Sequence, residues 1–205
     1  MKKFTMKPII FMVVITIVYT TVLAGINAVT EERIVLNEQL SEQLSFLYVL
    51  NMTPETIEAP VVNRLYQERV EEIQVNGDRV YEAYDEDGNL YAYIVPMAGS
   101  ALWGELRGII ALSTDFETVL GIDFLSHSET PGLGGRIDEP EFKEQFRGIE
   151  IDPEADRNYL IFNPNPGGQV DAISGATGTS NAVRNIFNST MQEFMSETRE
   201  ALNND

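Results

Sequence analysis

The chain opens with a long uncharged segment. Residues 8–29 read PIIFMVVITIVYTTVLAGINAV and contain no charged side chain. About 20 apolar residues at ~1.5 Å of rise each cross the ~30 Å apolar core of a bilayer, so this segment predicts one membrane-spanning helix. A cleaved signal peptide is the alternative. Its apolar core is typically only about 7–15 residues long, and the next segment continues the helical pattern, which favours an uncleaved anchor.

Charges flank this segment asymmetrically. Three lysines precede it (Lys2, Lys3 and Lys7), whereas Glu31, Glu32 and Arg33 follow it. The positive-inside rule then puts residues 1–7 in the cytoplasm. We therefore expect a single-pass protein of the cell inner membrane whose main domain lies on the periplasmic, or extracytoplasmic, side.

The segment after the anchor keeps a helical pattern. Leucines recur on one helical face, at Leu36, Leu40, Leu44 and Leu47. This spacing predicts a helix that leaves the membrane and packs on the following domain. Pro54 then predicts a break and the start of a short helix at Glu55. Residues 30–72 are accordingly a helical connector.

From Ile73 the pattern becomes that of strands. Residues 73–97 are rich in Val, Ile and Tyr and are interrupted at residues 76–77 and 87–89 by Asn, Asp and Gly, which indicates strands joined by tight turns. Residues 108–112 and 119–125 are predicted to be two further strands. The fold class is therefore α+β: an N-terminal transmembrane helix followed, over residues 73–205, by a domain of largely antiparallel sheet with flanking helices.

Three more elements complete the predicted domain. A short helix is expected over residues 139–146, with Phe142 and Phe146 on one face, and a strand over residues 157–163. Residues 163–169 have the composition of a loop. An amphipathic helix closes the chain, with its apolar face at Val183, Ile186, Phe187, Met191, Phe194 and Met195.

Charge and composition then exclude several functions. The formal net charge is −18, and after residue 29 there are 11 basic against 32 acidic residues, a charge of −21. So acidic a surface repels phosphate backbones, and no nucleic acid is expected as a partner. The chain has no cysteine. Thiol catalysis, zinc–thiolate sites, disulfides and iron–sulfur ligation by this chain are therefore excluded.

A first candidate site is DAISGATGTS, residues 171–180. Thr179 or Ser180 is suited to be the N-cap of the closing helix, and the glycines leave bare backbone just before it. Hydroxyl groups and free amides at a helix N-terminus favour an anion, most often phosphate. A Walker A lysine and a G-x-G-x-x-G pattern are both missing. On these residues alone, a capped turn without ligand is an equally good interpretation.

A second candidate site is SHSETPGLGGR, residues 126–136. It holds the only histidine, His127, and three closely spaced glycines that suit the close approach of a flat ligand. A lone histidine without cysteine or a carboxylate cluster makes a poor metal site, and no metal is expected.

Taken together, H-x-E-T-P-G-L-G at residues 127–134 and D-x-x-S-G-A-T at residues 171–177 resemble the covalent FMN-binding domain family. This family includes the C subunit of the sodium-translocating NADH:quinone oxidoreductase (Nqr) and the G subunit of the Rnf complex. The resemblance covers roughly residues 75–195. The short chain is nearer in length to the Rnf subunit, whereas LWGELRGIIAL and GLGGRIDEPEF are closer to the Nqr subunit, so both remain open.

The resemblance implies a role for each matching residue. Thr177 would be esterified to the phosphate of FMN. A separate flavin transferase would read the rest of that signature, at Asp171, Ser174, Gly175 and Ala176. The loop against the isoalloxazine ring corresponds to Glu129, Thr130, Leu133 and Gly134. Trp103 matches an upstream aromatic position, and His127 matches the histidine of the family.

The implied function is that of an electron-transfer subunit. The chain would carry covalent FMN within an ion-translocating oxidoreductase, of the NADH:quinone or the ferredoxin:NAD type, and would not catalyse the reaction alone. Other membrane subunits would be its partners, and none of its side chains would act as acid, base or nucleophile in turnover. Two alternatives remain: a stand-alone membrane-anchored flavoprotein, and a module that binds a phosphate-bearing ligand without a covalent bond.

Overall fold

A computed structural model describes residues 6–153 and 158–202, which fall into two compact units divided after Leu40. Helix α1 runs from Lys7 to Val49. Within it lies an 18-residue window of mean hydropathy 2.5 whose side chains are all exposed. By length and composition, α1 can cross a membrane, in agreement with the predicted apolar helix.

The second unit contains a six-stranded sheet. Its strands are β1 (Val70–Val75), β2 (Asp78–Tyr84), β3 (Leu90–Ser100), β4 (Glu105–Ser113), β5 (Thr118–Ser126) and β6 (Ile149–Glu150). They are ordered β1 to β6, each antiparallel to the next. The predicted α+β class with an antiparallel sheet is confirmed.

Helices flank this sheet. They are α2 (Ala59–Arg69), α3 (Pro140–Lys143), α4 (Thr177–Glu193) and α5 (Arg199–Leu202). A 3₁₀ turn at Gly134–Asp138 precedes α3, another at Glu144–Phe146 follows it, and a π turn at Phe194–Thr198 joins α4 to α5. Strands β1 to β5 and the closing helix were all predicted by the local sequence pattern.

Each face of the sheet has its own core, because successive side chains of a strand point to opposite faces. On one face, Val95 and Ile110 belong to the larger core together with Phe187 of α4. On the other face, Ile94 and Ile109 belong to a smaller core. This second core is completed by Phe46 and Val49 of the last turn of α1 and by Leu50 just after it, all three of which are buried.

Arg147 holds the end of α1 against the sheet. Its guanidinium donates hydrogen bonds to the carbonyl oxygens of Tyr48 (3.2 Å), Val49 (3.3 Å) and Leu120, and to the carboxylate of Glu144 (2.9 Å). The last carbonyls of a helix lack partners within the helix, so Arg147 satisfies two of them. The Glu144 carboxylate also accepts the hydroxyl of Tyr48 at 2.5 Å, and the hydrogen bonds from Arg147 and then from Tyr48 lower the pKa of Glu144.

Two boundaries differ from the prediction. No helix starts at Glu55; α2 begins at Ala59, because Pro60 rather than Pro54 occupies the first helical turn. Strand β1 begins at Val70, three residues before Ile73.

The strand expected at residues 157–163 is also wrong over its described part, which starts at residue 158. Phe162 makes only an isolated parallel bridge to Val170. The neighbouring amides are taken by side chains: the N–H of Leu160 donates to Asn188 Oδ1 at 2.8 Å and that of Ile161 to Gln169 Oε1 at 3.1 Å. These amides are not available to a strand ladder.

The burial of Tyr66 predicts that the folded domain loses stability at alkaline pH. Its ring lies edge-on to that of Phe46, with centroids 5.5 Å apart, and burial raises the pKa of its phenol to about 12. An unfolded tyrosine titrates near pH ~10, so the folded state favours the protonated phenol. The resulting stabilisation is complete below about pH 10 and is lost as the pH rises through about 12.

We therefore expect the free energy of unfolding, measured with urea in detergent, to fall between about pH 10 and pH 12. Tyr66→Phe should reduce the steepness of this fall, because one of the buried phenols is then missing. An equally steep fall in Tyr66→Phe would show that Tyr66 does not contribute.

Candidate functional site

Three segments of the second unit meet at one end of α4. They are the tryptophan turn (residues 101–104, between β3 and β4), the glutamate loop (residues 127–134, after β5) and the threonine turn (residues 173–180, which opens α4). Glu129 joins all three. Its Oε1 accepts the backbone N–H of Trp103 at 3.1 Å, and its Oε2 accepts the hydroxyl of Thr179.

The threonine turn enters α4 without a side-chain cap. Ala176 is the N-cap, and its carbonyl accepts the N–H of Ser180 at 3.0 Å. The prediction that Thr179 or Ser180 caps the helix is therefore wrong: α4 starts at Thr177, so both residues lie inside its first turn, and their hydroxyls bind groups outside it. Ser180 Oγ donates to the carbonyl of Ala176 at 3.1 Å and accepts the N–H of Ile173 at 3.0 Å.

Thr177 lies at a helix N-terminus, a position that favours the binding of an anion. It is the first residue of a 17-residue helix, and its side chain is exposed. The first N–H groups of a helix lack intrahelical acceptors and carry the positive end of its dipole. Gly175, just before it, adopts a φ of 79°, a conformation that suits glycine and lets the chain turn into the helix. Phosphate is the expected kind of ligand at such a site.

Large apolar side chains stand exposed around this helix end. Leu102, Trp103 and Leu133 are 57%, 66% and 49% exposed. A Cβ built on Gly178 would lie 3.4 Å from both Cδ atoms of Leu102, so Leu102 packs against this glycine. A Cβ built on Gly175 would lie 3.8 Å from Leu133 Cδ2. We call these three side chains the apolar rim. Leu102 was not predicted from the sequence, although two successive large apolar residues in a strand-to-strand turn are a usable signal.

Gly134 leaves room for the contact between Glu129 and Thr179. A Cβ at this position would lie 2.5 Å from Glu129 Oε2 and closer still to Thr179 Oγ1. Real Cβ atoms do not approach other atoms so closely, so any larger residue would separate the two side chains.

The remaining predicted site residues lie as follows. Ser174 and Thr130 are exposed, in the threonine turn and the glutamate loop respectively. Asp171 lies just before the threonine turn, where its carboxylate accepts Asn163 Nδ2 at 2.7 Å and its N–H donates to Gln145 Oε1 at 2.7 Å.

His127 faces other protein groups. Its Nδ1 accepts the N–H of Glu129 at 3.1 Å, and its Nε2 lies 2.8 Å from Asp138 Oδ2. Over the described part of the chain, no group of three or more His, Asp or Glu side chains could hold a metal ion.

Two cavities lie elsewhere among the described residues. One, of about 300 Å³, includes Arg79, Arg107 and Phe194 in its lining; the other, of about 610 Å³, includes Leu160 and Asn188. The lining of neither includes a residue of the three site segments. The candidate site itself lies at the surface, where Leu102, Trp103, Leu133 and Thr177 are exposed.

Comparison with known proteins points to the same region. Residues 102–192 match the FMN-binding domain family. The chain is 36% identical over 137 residues to the C subunit of the Na(+)-translocating NADH-quinone reductase of Yersinia pestis, covering 62% of this chain and 52% of that one. It is 42% identical over 109 residues to the G subunit of an ion-translocating oxidoreductase complex of Methanosarcina acetivorans, covering 53% and 54%. The chain thus matches about half the length of these relatives.

Solved structures share the fold. The C subunit of the Na(+)-translocating NADH-quinone reductase of Parabacteroides distasonis superimposes with a TM-score of 0.65 at 28% identity, over 78% of this chain and 92% of that one. NqrC of Shewanella oneidensis superimposes with a TM-score of 0.50 at 25% identity, over 72% and 76%. The chain therefore shares its fold with these solved proteins, and residues 102–192 of it match the FMN-binding domain family.

Proposed function

We propose that this chain is an electron-transfer subunit of a membrane-bound, ion-translocating oxidoreductase and that it carries FMN through a phosphoester on Thr177. The observation that carries the proposal is the exposed hydroxyl of Thr177 on the first residue of α4, within a region that matches the FMN-binding domain family. A phosphate esterified to this hydroxyl would lie against the free amides and the positive dipole end of the helix.

The surrounding residues suit both parts of FMN. The threonine turn, with Ser174, Gly175 and Ala176, leads bare backbone to the phosphate, and Asp171 fixes the start of that turn through its bonds to Asn163 and Gln145. The apolar rim offers a surface of the right polarity for a flat aromatic ring. Thr130 and Gly134 belong to the loop beside this rim. FMN would supply the electron-transfer chemistry, while the protein binds, orients and partly shields it.

This function needs no acid–base or nucleophilic group in turnover. The only histidine is engaged with Asp138 and Glu129, and both oxygens of Glu129 are taken by hydrogen bonds. Other membrane subunits would oxidise the donor, reduce the acceptor and move the ion. The proposal covers the Nqr and the Rnf type of complex, because relatives named for each share 36% and 42% identity with this chain.

The same proposal includes the position in the cell. Helix α1 would anchor the chain in the inner membrane as a single span. Under the positive-inside rule, the three lysines at its N-terminal end support an extracytoplasmic position for the second unit. There a freely dissociating flavin would be lost, so a covalent tether has a clear use.

The experiment is to produce the full chain with and without a flavin transferase. On the transferase, the Thr177 hydroxyl would attack the phosphate of an activated flavin donor. The hydroxyl would lose its proton and form the new O–P bond, and the donor's leaving group would depart from the same phosphorus. We expect one FMN adduct only when the transferase is present, resistant to denaturation and located by trypsin in the single peptide of residues 158–184. Flavin released on denaturation, or no flavin at all, would contradict the proposal.

A further inference from the structure

We propose that Glu129 is the positioning residue of the flavin site: its buried carboxyl group fixes the distance between the rim tryptophan and the first turn of α4. This inference rests on the proposed function, and it concerns a role that is separate from contact with the flavin. Glu129 is only 5% exposed, although it lies in a surface loop.

The surroundings of Glu129 are unusual for a buried acid. The other buried acid among the described residues, Asp123, is paired with Lys143 at 2.8 Å. In the described structure no Lys, Arg or His nitrogen lies within salt-bridge distance of Glu129; its partners are a backbone amide and a hydroxyl. Burying an acid without a cation is costly, and its two oxygens instead join segments that are far apart in the chain.

The two hydrogen bonds act on the two halves of the site. Trp103 is 66% exposed, so its ring has little packing of its own, and its backbone is held through Glu129 Oε1. Thr179 is 1% exposed and lies two residues after Thr177 in the first turn of α4. Glu129 therefore sets where the rim stands relative to the hydroxyl that receives FMN.

His127 sets the glutamate loop in turn. Its Nδ1 accepts the N–H of Glu129, so this nitrogen must carry a lone pair, and the proton of the neutral ring lies on Nε2. That Nε2–H donates to Asp138 at 2.8 Å. A row of hydrogen-bonded residues, Asp138, His127 and Glu129, thus runs from the surface to the helix end. Gly134 leaves the space in which the Glu129 carboxyl group contacts Thr179.

The inference can be tested without FMN, because Trp103 is the only tryptophan of the chain. The full chain, produced in detergent without transferase, should show a well-defined tryptophan fluorescence anisotropy. Glu129→Leu removes both acceptors at similar volume, and we expect a lower anisotropy. Glu129→Gln keeps the Oε1 acceptor and should restore the wild-type value. Asp123→Asn is the matched control: it disturbs the other buried acid and should leave the anisotropy of Trp103 unchanged.

The second readout is the initial rate of flavinylation by the transferase. Loss of the hydrogen bonds should slow Glu129→Leu about tenfold or more, while Asp123→Asn, at comparable stability in urea, should stay within about threefold of wild type. Equal rates and equal anisotropy in Glu129→Leu and wild type would overturn the proposal.

If Glu129→Leu does not fold, Thr179→Val tests the positioning role of Glu129 instead. It breaks only the bond to α4, so Trp103 should keep its anisotropy while flavinylation slows. Flavinylation of Thr179→Val at the wild-type rate would overturn the positioning role. If the wild type takes up no FMN, the proposed function fails, yet the anisotropy of Trp103 still tests whether Glu129 holds the tryptophan turn.

Discussion

Thr177→Ala is expected to carry no FMN under conditions in which the wild type is fully modified. The reason is that the exposed Thr177 Oγ1 is the proposed attachment atom, and alanine lacks it. Loss of a covalent bond is an all-or-none effect, visible as the absence of the FMN mass from the intact protein. Thr177→Ser keeps a hydroxyl on the same carbon and should keep a part of the modification.

This variant should otherwise be harmless. The side chain of Thr177 is exposed and is not the cap of α4, which is Ala176. Alanine is also well tolerated in the first turn of a helix. We therefore expect the free energy of unfolding of the unmodified protein to change by less than about 0.5 kcal/mol.

Ser174→Ala is the matched control, since Ser174 is the nearest other exposed hydroxyl of the motif. It should leave the adduct on Thr177, although modification becomes slower if the transferase reads Ser174. An adduct that persists in Thr177→Ala, whether on Ser174 or on another residue of the same peptide, would refute the assignment.

The fold was predictable where the signal is local. Asn76-Gly77 and Asp87-Gly88-Asn89 mark the turns on either side of β2, and both glycines adopt positive φ as such turns require. The apolar face of the closing helix, from Val183 to Met195, is buried as its spacing indicates. In these segments propensity, pattern and tertiary burial agree.

Where tertiary contacts compete with the local pattern, the sequence was a poorer guide. Residues 158–163 have the composition of a strand, but side-chain oxygens of Asn188 and Gln169 accept the amides of Leu160 and Ile161. The hydroxyls of Thr179 and Ser180 have the chemistry of an N-cap, yet Glu129 binds one of them, and Ala176 and Ile173 bind the other. No one-dimensional pattern contains these partners, which are up to 50 residues away.

The arrangement of the candidate site was predictable only in part for the same reason. The two motifs indicate Thr177 and the glutamate loop, because each motif consists of neighbouring residues along the chain. The burial of the Glu129 carboxyl group, and the place of Leu102 beside Gly178, follow from how three separate segments meet. The way these three segments come together depends on the register of β3, β4 and β5.

Gly121→Ala is expected to have the largest effect on stability, because it acts where the last turn of α1 meets β5. A Cβ on Gly121 would lie 2.6 Å from the carbonyl oxygen of Val49 and 2.9 Å from its Cα. Both are backbone atoms, so no change of rotamer can relieve the contact. The last turn of α1 would have to move away from the sheet.

That movement would expose a closely packed region. Phe46, Leu47 and Val49 are at most 1% exposed, and Arg147 binds the carbonyl of Val49 at 3.3 Å. Overpacking in a core typically costs about 1–3 kcal/mol, and a clash between two backbones belongs at the upper end of that range. We expect urea unfolding of the full chain in detergent to show a loss of about 3 kcal/mol.

Gly104→Ala is the control for this variant. A Cβ on Gly104 would make only an ordinary contact, 3.4 Å from Ser128, and the residue lies in an exposed turn. Its free energy of unfolding should stay within about 0.5 kcal/mol of the wild type. If Gly121→Ala were equally mild, the end of α1 would have to shift on β5 without loss of packing. In that case Arg147, rather than the close approach of Val49 to Gly121, would be what holds the last turn of α1 to the sheet.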